Sequence, residues 1–276
     1  MSPDKVVRDA AAAVAGIGHG WSLAVGGFGL AGVPVVLVEA VLAGGALDLT
    51  VVSNNCGTDG AALGLLLEQG RIARVIASYV GENREFARQF LAGELTVELT
   101  PQGTLAERLR AGGAGIGAFY TPTGVGTLVA DGGLPWRYRP DGSVALASPP
   151  KEVRTFGGRE MVLEEAIVTD AALVRAAVAD RAGNCVFHAA ARNFNPAAAM
   201  AGRLTVVEAE QVVDVGELGP DDIHLPGVFV QRVLALTPEQ AARKGIEKRT
   251  TRPRPAGPPP ADGRARTNHT RDTDDD

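Results

Sequence analysis

The sequence predicts an α/β fold: an open, largely parallel sheet flanked by helices, with an inserted Gly/Pro-rich region of short strands. Short apolar runs alternate with helix-like runs over residues 22–112 and again over 164–210, which is the spacing of βαβ units. Glycine and proline, 35 and 17 of the 276 residues, punctuate the junctions. A hydrophobic content of 45% supplies a substantial core.

The elements follow in order. Ser2 and Pro3 have the character of a helix cap and first helical position, opening a helix through about Val14. "SLAV" (22–25) is a short buried strand. After a glycine cluster, Pro34 starts the helix "PVVLVEAVLAGG", stopped by Gly44. "LDLTVVS" (47–53) is a strand ending in Asn54 and Asn55, "GAALGLLLEQG" a helix, and "RVIASYV" (74–80) a strand. A helix capped by Asn83, the strand "LTVELT" (95–100) and the helix "TLAERLRAG" complete the first run. From Gly112 to about Gly158 the rhythm breaks, and the composition favours loops and short antiparallel strands. It returns with "EEAIVTD" as strand, "AALVRAAVADRAG" as helix, "CVFHA" as strand, "NPAAAMAG" as helix and "LTVVEAE" as strand. Residues 1–247 read as one folded domain. Residues 248–276, rich in Pro, Arg and Asp with almost no apolar side chains, read as a disordered tail.

Composition narrows the function. A net charge of -5 argues against nucleic acid, and no apolar run reaches membrane-spanning length. The charged N-terminus is unlike a signal peptide. Two cysteines, Cys56 and Cys185, and four scattered histidines show no metal-ligand spacing, so no metal is expected. A cytoplasmic protein is the expectation.

Gly27, Gly29 and Gly32 satisfy G-x-G-x-x-G. In a dinucleotide site, an acid about twenty residues on would bind the ribose. Asp48 lies at that distance, but at the start of its strand rather than its end. A plain βα turn, a phosphate-bearing cofactor and NAD in particular all remain open on this window.

Longer windows resemble one family. "LAVGGFGLAGVP", "SNNCGTDGAALGLLL" (53–67) and residues 78–127, from "SYVGENREFARQF" to "FYTPTGVGT", resemble the family I CoA-transferases of the 3-oxoacid type, as do "VADRAGN" (178–184), "AARNFNP" (190–196) and "DDIHLPGVFVQRV" (221–233). The similarity is collinear from about residue 5 to 236 and is to the α subunit. "SYVGEN" favours the succinyl-CoA:3-ketoacid branch over the 3-oxoadipate transferases. His19 departs from the Asp or Asn usual there, a change a loop should tolerate.

The resemblance implies transfer of CoA from succinyl-CoA to a 3-oxo acid such as acetoacetate. CoA is a substrate, and no cofactor is expected. A glutamate carboxylate attacks the donor thioester, a mixed anhydride forms, and the released thiolate attacks the glutamyl carbon, leaving an enzyme thioester. In the family that glutamate lies in the β subunit, within a Ser-Glu-Asn-Gly type motif absent from this chain. A heterodimer or heterotetramer with a β subunit is therefore expected. Glu82 and Glu85, in the superficially similar "GEN" region, read as surface or first-turn charges.

Gln102 follows a strand end, where open α/β sheets place ligands. Its amide can donate to an oxyanion or substrate carboxylate, and the resemblance places it facing the thioester glutamate. Gly26, Gly27, Phe28, Gly29, Gly32, Asn54 and Asn55 are the candidate substrate/CoA cleft. Phe119, Tyr120 and Pro122 suggest an acyl-pocket wall or, equally, a packed loop. Cys56 and Cys185 read as small buried residues, and His224 as structural or interfacial. Arg192 stays open between substrate and interface. The other classes are the α subunit of a 3-oxoadipate transferase, an NAD-binding oxidoreductase and a non-catalytic acyl-CoA sensor.

Overall fold

The computed structural model describes residues 4–244. The expected cap at Ser2–Pro3 and the tail at 248–276 lie outside the described residues. The chain opens with β1 (Val6–Val7) and α1 (Ala10–Val14), whose start is set by Asp9 accepting from the Ala12 N–H. The first βα run is β2 (Ser22–Val25), α2 (Val35–Gly44), β3 (Leu49–Val52), α3 (Gly64–Glu68), β4 (Ile72–Ala77), α4 (Arg84–Leu91), β5 (Thr96–Leu99) and α5 (Gln102–Gly113). Gly45, not Gly44, takes the left-handed turn that ends α2. The insert holds β6 (Ala118–Thr121), α6 (Leu128–Asp131), β7 (Pro135–Tyr138), β8 (Val144–Ala147), β9 (Val153–Phe156) and β10 (Arg159–Glu165). The second run is β11 (Thr169–Asp180), β12 (Cys185–Val186), α7 (Asn195–Ala201), β13 (Gly202–Val213), β14 (Arg232–Ala235) and α8 (Pro238–Ala241).

The main sheet runs β1-β14-β13-β11-β2-β3-β4-β5, all neighbours parallel, with β12 antiparallel to β11. The chain thus winds outward from β2 to β5, returns through the insert, and winds the other way from β11. Side chains alternate across the sheet. Leu23, Val25, Val51 and Val75 pack with α2, α3 and α4 on one face; Ala24, Val52, Ile76 and Val174 pack with α5 and α7 on the other. The insert forms the antiparallel sheet β6-β10-β9 and the hairpin β7-β8, as its composition suggests.

One element is corrected. The alanine-rich run 171–183 reads as a helix, but as far as Asp180 it belongs to β11, a twelve-residue central strand. Alanine favours helices by well under 1 kcal/mol per residue, whereas this run is apolar almost throughout and buried on both faces, the pattern of a central parallel strand. The expected strand at 164–170 is correspondingly divided between the end of β10 and the start of β11. The small side chains of β11 also admit tight packing: a methyl on Gly202 would lie 2.5 Å from Ala172 Cβ.

Candidate active site

At the carboxyl edge of β2, β3 and β4 a cleft of about 460 Å³ opens. It is lined by Phe28, Gly29 and Leu30 from the glycine loop and by Asn54, Asn55, Gly57 and Thr58 after β3. Ser78, Tyr79, Gly81 and Glu82 after β4, together with Gln102, complete the wall. Of the sequence candidates, Phe28, Gly29, Asn54, Asn55 and Gln102 meet here. Gly26, Gly27 and Gly32 do not line the cleft and lie behind its wall.

Those three glycines are explained by packing. A methyl on Gly26 would lie 1.9 Å from Asn195 Oδ1, and one on Gly32 2.9 Å from Ala191. Gly27 has φ +112, and a methyl there would sit 2.6 Å from Val33 Cγ2. Asn195, fully buried, joins the loop to the second run: its Oδ1 accepts from the Arg175 N–H at 3.1 Å, and its Nδ2 donates to the Gly32 and Ala191 carbonyls at 2.9 and 2.8 Å.

The same region shows why the glycine pattern is not a dinucleotide site. β2 and β11 are neighbours whose following helices lie on opposite faces, the switch point where such sheets bind nucleotides. A pyrophosphate there would sit on the N-terminus of α2. That position is taken by the protein itself: Glu208 Oε2, from β13, accepts the Leu37 N–H at 3.0 Å. Pro34 offers no side-chain cap. Glu208 is fully buried and pairs with Arg175 at 3.3 Å, and burial pushes its carboxyl up to about 7 against the pull of Leu37 and Arg175. Arg175 also pairs with Glu210 at 3.0 Å and donates to the Ala241 and Arg243 carbonyls, drawing the segment after α8 onto the sheet. Asp48 sits before β3, at the opposite end of that strand from the cleft.

Within the cleft the polar groups are linked. Gln102 Nε2 donates to Asn54 Oδ1 at 2.8 Å, and Ser78 Oγ donates to the same oxygen at 2.9 Å. Asn54 Nδ2 donates to Asn55 Oδ1 at 3.3 Å, which also accepts the Gly29 N–H at 3.1 Å. Asn54 and Asn55 are buried, while Gln102, the first residue of α5, is exposed at the rim. Phe28 and Tyr79 are 48% and 52% exposed and form apolar flanks. Ser78 and Asn195 escape sequence reasoning because a lone serine or asparagine carries no pattern; only the fold brings them to the cleft and its support.

The remaining candidates find structural places. Asn83 caps α4 by accepting from the Phe86 N–H and donates to the Cys56 carbonyl, which accounts for "GEN". Glu82 lines the cleft, partly exposed, at φ +61. Glu85 is hydrogen-bonded to Arg88, which holds its carboxyl down at about 2. Phe119, Tyr120 and Pro122 lie outside the cleft, and Tyr120 donates to Glu152 and packs on Phe156. His224 Nδ1 accepts the Phe187 N–H, with the two rings stacked, a structural role. His19 Nδ1 accepts the Leu47 N–H, as an Asp or Asn oxygen would. Burial pushes both Cys56 and Cys185 thiols up to about 12. Arg192 is exposed on the turn whose Ala191 backs Gly32. Among the described residues no group of three or more His, Cys, Asp or Glu is placed to hold a metal, and no helix is long and apolar enough to cross a membrane.

This architecture, a doubly wound sheet with its cleft displaced from the switch point, is shared with known transferases. The coenzyme A transferase family model matches residues 7–236, and the chain belongs to that family. It is 62% identical over 249 residues to a Mycobacterium tuberculosis protein described as the A-type half of a probable succinyl-CoA:3-ketoacid coenzyme A transferase, covering 90% of this chain and 99% of that one. It is 48% identical over 254 residues to the rat mitochondrial succinyl-CoA:3-ketoacid coenzyme A transferase 2A, covering 92% of this chain and 48% of that one. The solved acyl-CoA transferase YdiF of Escherichia coli has the same fold, with a TM-score of 0.71 at 21% identity; the match covers 86% of this chain and 48% of that one.

Proposed function

We propose that this chain is the non-nucleophilic α subunit of a 3-oxoacid CoA-transferase, moving CoA from succinyl-CoA to a 3-oxo acid such as acetoacetate. The observation that carries the reading is the cleft's polar wall. Gln102, Asn54 and Asn55 are neutral amides at a strand edge, and the oxygens of both asparagines are already engaged as acceptors. What Gln102 has left to give is its second N–H, the group a developing oxyanion or a carboxylate needs. The relatives' descriptions support the acyl donor and acceptor.

The chain has no Ser-Glu-Asn-Gly tetrapeptide, and the glutamates near its cleft are otherwise accounted for. Glu82 is a solvated rim charge and Glu85 is tied to Arg88. The nucleophilic glutamate therefore comes from a separate β subunit whose carboxylate faces Gln102. The rat relative, of which this chain covers about half, supports a second polypeptide of similar size. In this reading the pair is a heterodimer or heterotetramer in the cytoplasm, uses CoA as substrate and needs no other cofactor or metal. Purification of the chain by itself, and after co-expression with a β subunit, tests it. The isolated chain is expected to be inactive. The pair is expected to transfer CoA and to trap a glutamyl thioester on β. Transfer by the isolated chain, or a pair that traps no thioester, overturns the reading.

A further inference from the structure

We propose that Asn55, Asn54 and Ser78 are positioning residues that set the direction in which the Gln102 amide points. This rests on the role proposed for Gln102 and adds what enforces it. A glutamine amide has two nearly isosteric orientations, one presenting N–H groups and the other presenting oxygen. Only the first serves an oxyanion, so something must exclude the second.

The polarity starts from the backbone, whose groups have no choice. The Gly29 N–H can only donate, and it meets Asn55 at 3.1 Å, so that atom of Asn55 is its oxygen. The Gly29 carbonyl can only accept, and the other end of the same amide meets it at 3.4 Å as nitrogen. Asn55 is thereby clasped in one orientation. Its oxygen then requires a donor from Asn54, which Nδ2 supplies at 3.3 Å. Asn54 must consequently turn its oxygen toward Gln102 and Ser78. Gln102 answers with Nε2 at 2.8 Å and Ser78 with its hydroxyl at 2.9 Å. Ser78 Oγ also reaches the Asn54 carbonyl at 3.0 Å, and the Ser78 and Tyr79 N–H groups both donate to that carbonyl at 3.1 Å. The Asn54 main chain is therefore held as firmly as its side chain.

A flipped Gln102 would set its oxygen against Asn54 Oδ1, an acceptor facing an acceptor, in a place where Asn54 is only 3% exposed and water cannot easily intervene. The glycine loop thus takes part in the chemistry without touching substrate: its Gly29 backbone is the fixed end of a chain of amide polarity that finishes at Gln102.

The test is a double-mutant cycle on the chain co-expressed with its β partner, assayed with succinyl-CoA and acetoacetate. Gln102→Ala should lower kcat about 10²-fold, the loss typical of one oxyanion donor, with little change in KM. Asn54→Leu should lower kcat to a similar degree, and in the Gln102→Ala background it should cost nothing further, because it acts through Gln102. Ser78→Ala, a milder change that keeps the fold, should cut kcat severalfold, and Ser78→Thr should restore it. Unfolding midpoints confirm that each variant is folded. Losses from Asn54→Leu that multiply with those of Gln102→Ala, or that fall on KM alone, overturn the positioning role. A Gln102→Ala pair with wild-type kcat overturns the functional reading itself.

Discussion

Replacing Gly26 with alanine tests the claim that the glycine loop is shaped by packing. Gly26 is not among the residues at positive φ, so alanine meets no backbone penalty there. The effect is steric. The new methyl would lie 1.9 Å from Asn195 Oδ1 and 2.6 Å from its Cγ, so the asparagine side chain must leave. With it go the hydrogen bonds to the Arg175 N–H, the Gly32 carbonyl and the Ala191 carbonyl, all at buried groups. An unpaired buried polar group costs about 1–3 kcal/mol, and partial relaxation places the total at about 3–6 kcal/mol. For a domain of this size that lowers the melting temperature on the order of 10 °C. Urea unfolding followed by tryptophan fluorescence measures it, alongside Asn195→Ala and the double variant. Asn195→Ala loses the same three bonds but opens the space, so adding Gly26→Ala to it should cost less than about 1 kcal/mol. A Gly26→Ala variant within about 1 kcal/mol of wild type, or additive behaviour in the double variant, refutes the packing argument.

Three further outcomes follow from the same geometry. Gly29→Ala should cost only about 1 kcal/mol, because Gly29 has φ +59 but open space where a methyl would go; a loss as large as that of Gly26→Ala would show the loop to be more crowded than described. Glu208, raised from 4.5 to about 7 by burial, binds its proton more tightly folded than unfolded. Its contribution is therefore fully present below about pH 4.5 and is lost as pH rises to about 7, a span on the order of 3 kcal/mol. The stability of wild type minus that of Glu208→Gln should fall across that window, and a flat difference contradicts the assignment. NADH should show no saturable fluorescence change with the protein, since Glu208 holds the N-terminus of α2 where a pyrophosphate would bind; micromolar binding would reopen the oxidoreductase reading.

Much of this protein is legible before folding is considered. Alternating apolar runs with glycine and proline at their junctions determine parallel βα units, because a strand feeding a helix that packs back on the sheet needs that spacing. The collinear motifs from "LAVGGFGLAGVP" to "DDIHLPGVFVQRV" carry the family, and the position of Gln102 after "LTVELT" marks a strand-end site. Local propensity fails at β11, where alanine's weak helix preference yields to burial between two neighbouring strands and two helical layers.

The tertiary structure decides what the glycines are for. G-x-G-x-x-G specifies a tight turn in any fold, and the residues that turn it away from a nucleotide, Glu208 and Asn195, arrive from 171 and 163 positions along the chain from Leu37 and Gly32. No window of sequence contains both partners of such a contact. The same holds for the polar wall, where Gly29, Asn55, Asn54, Ser78 and Gln102 come from four loops. Residue type determines which groups can donate and accept; only the packing of the sheet decides which of them meet.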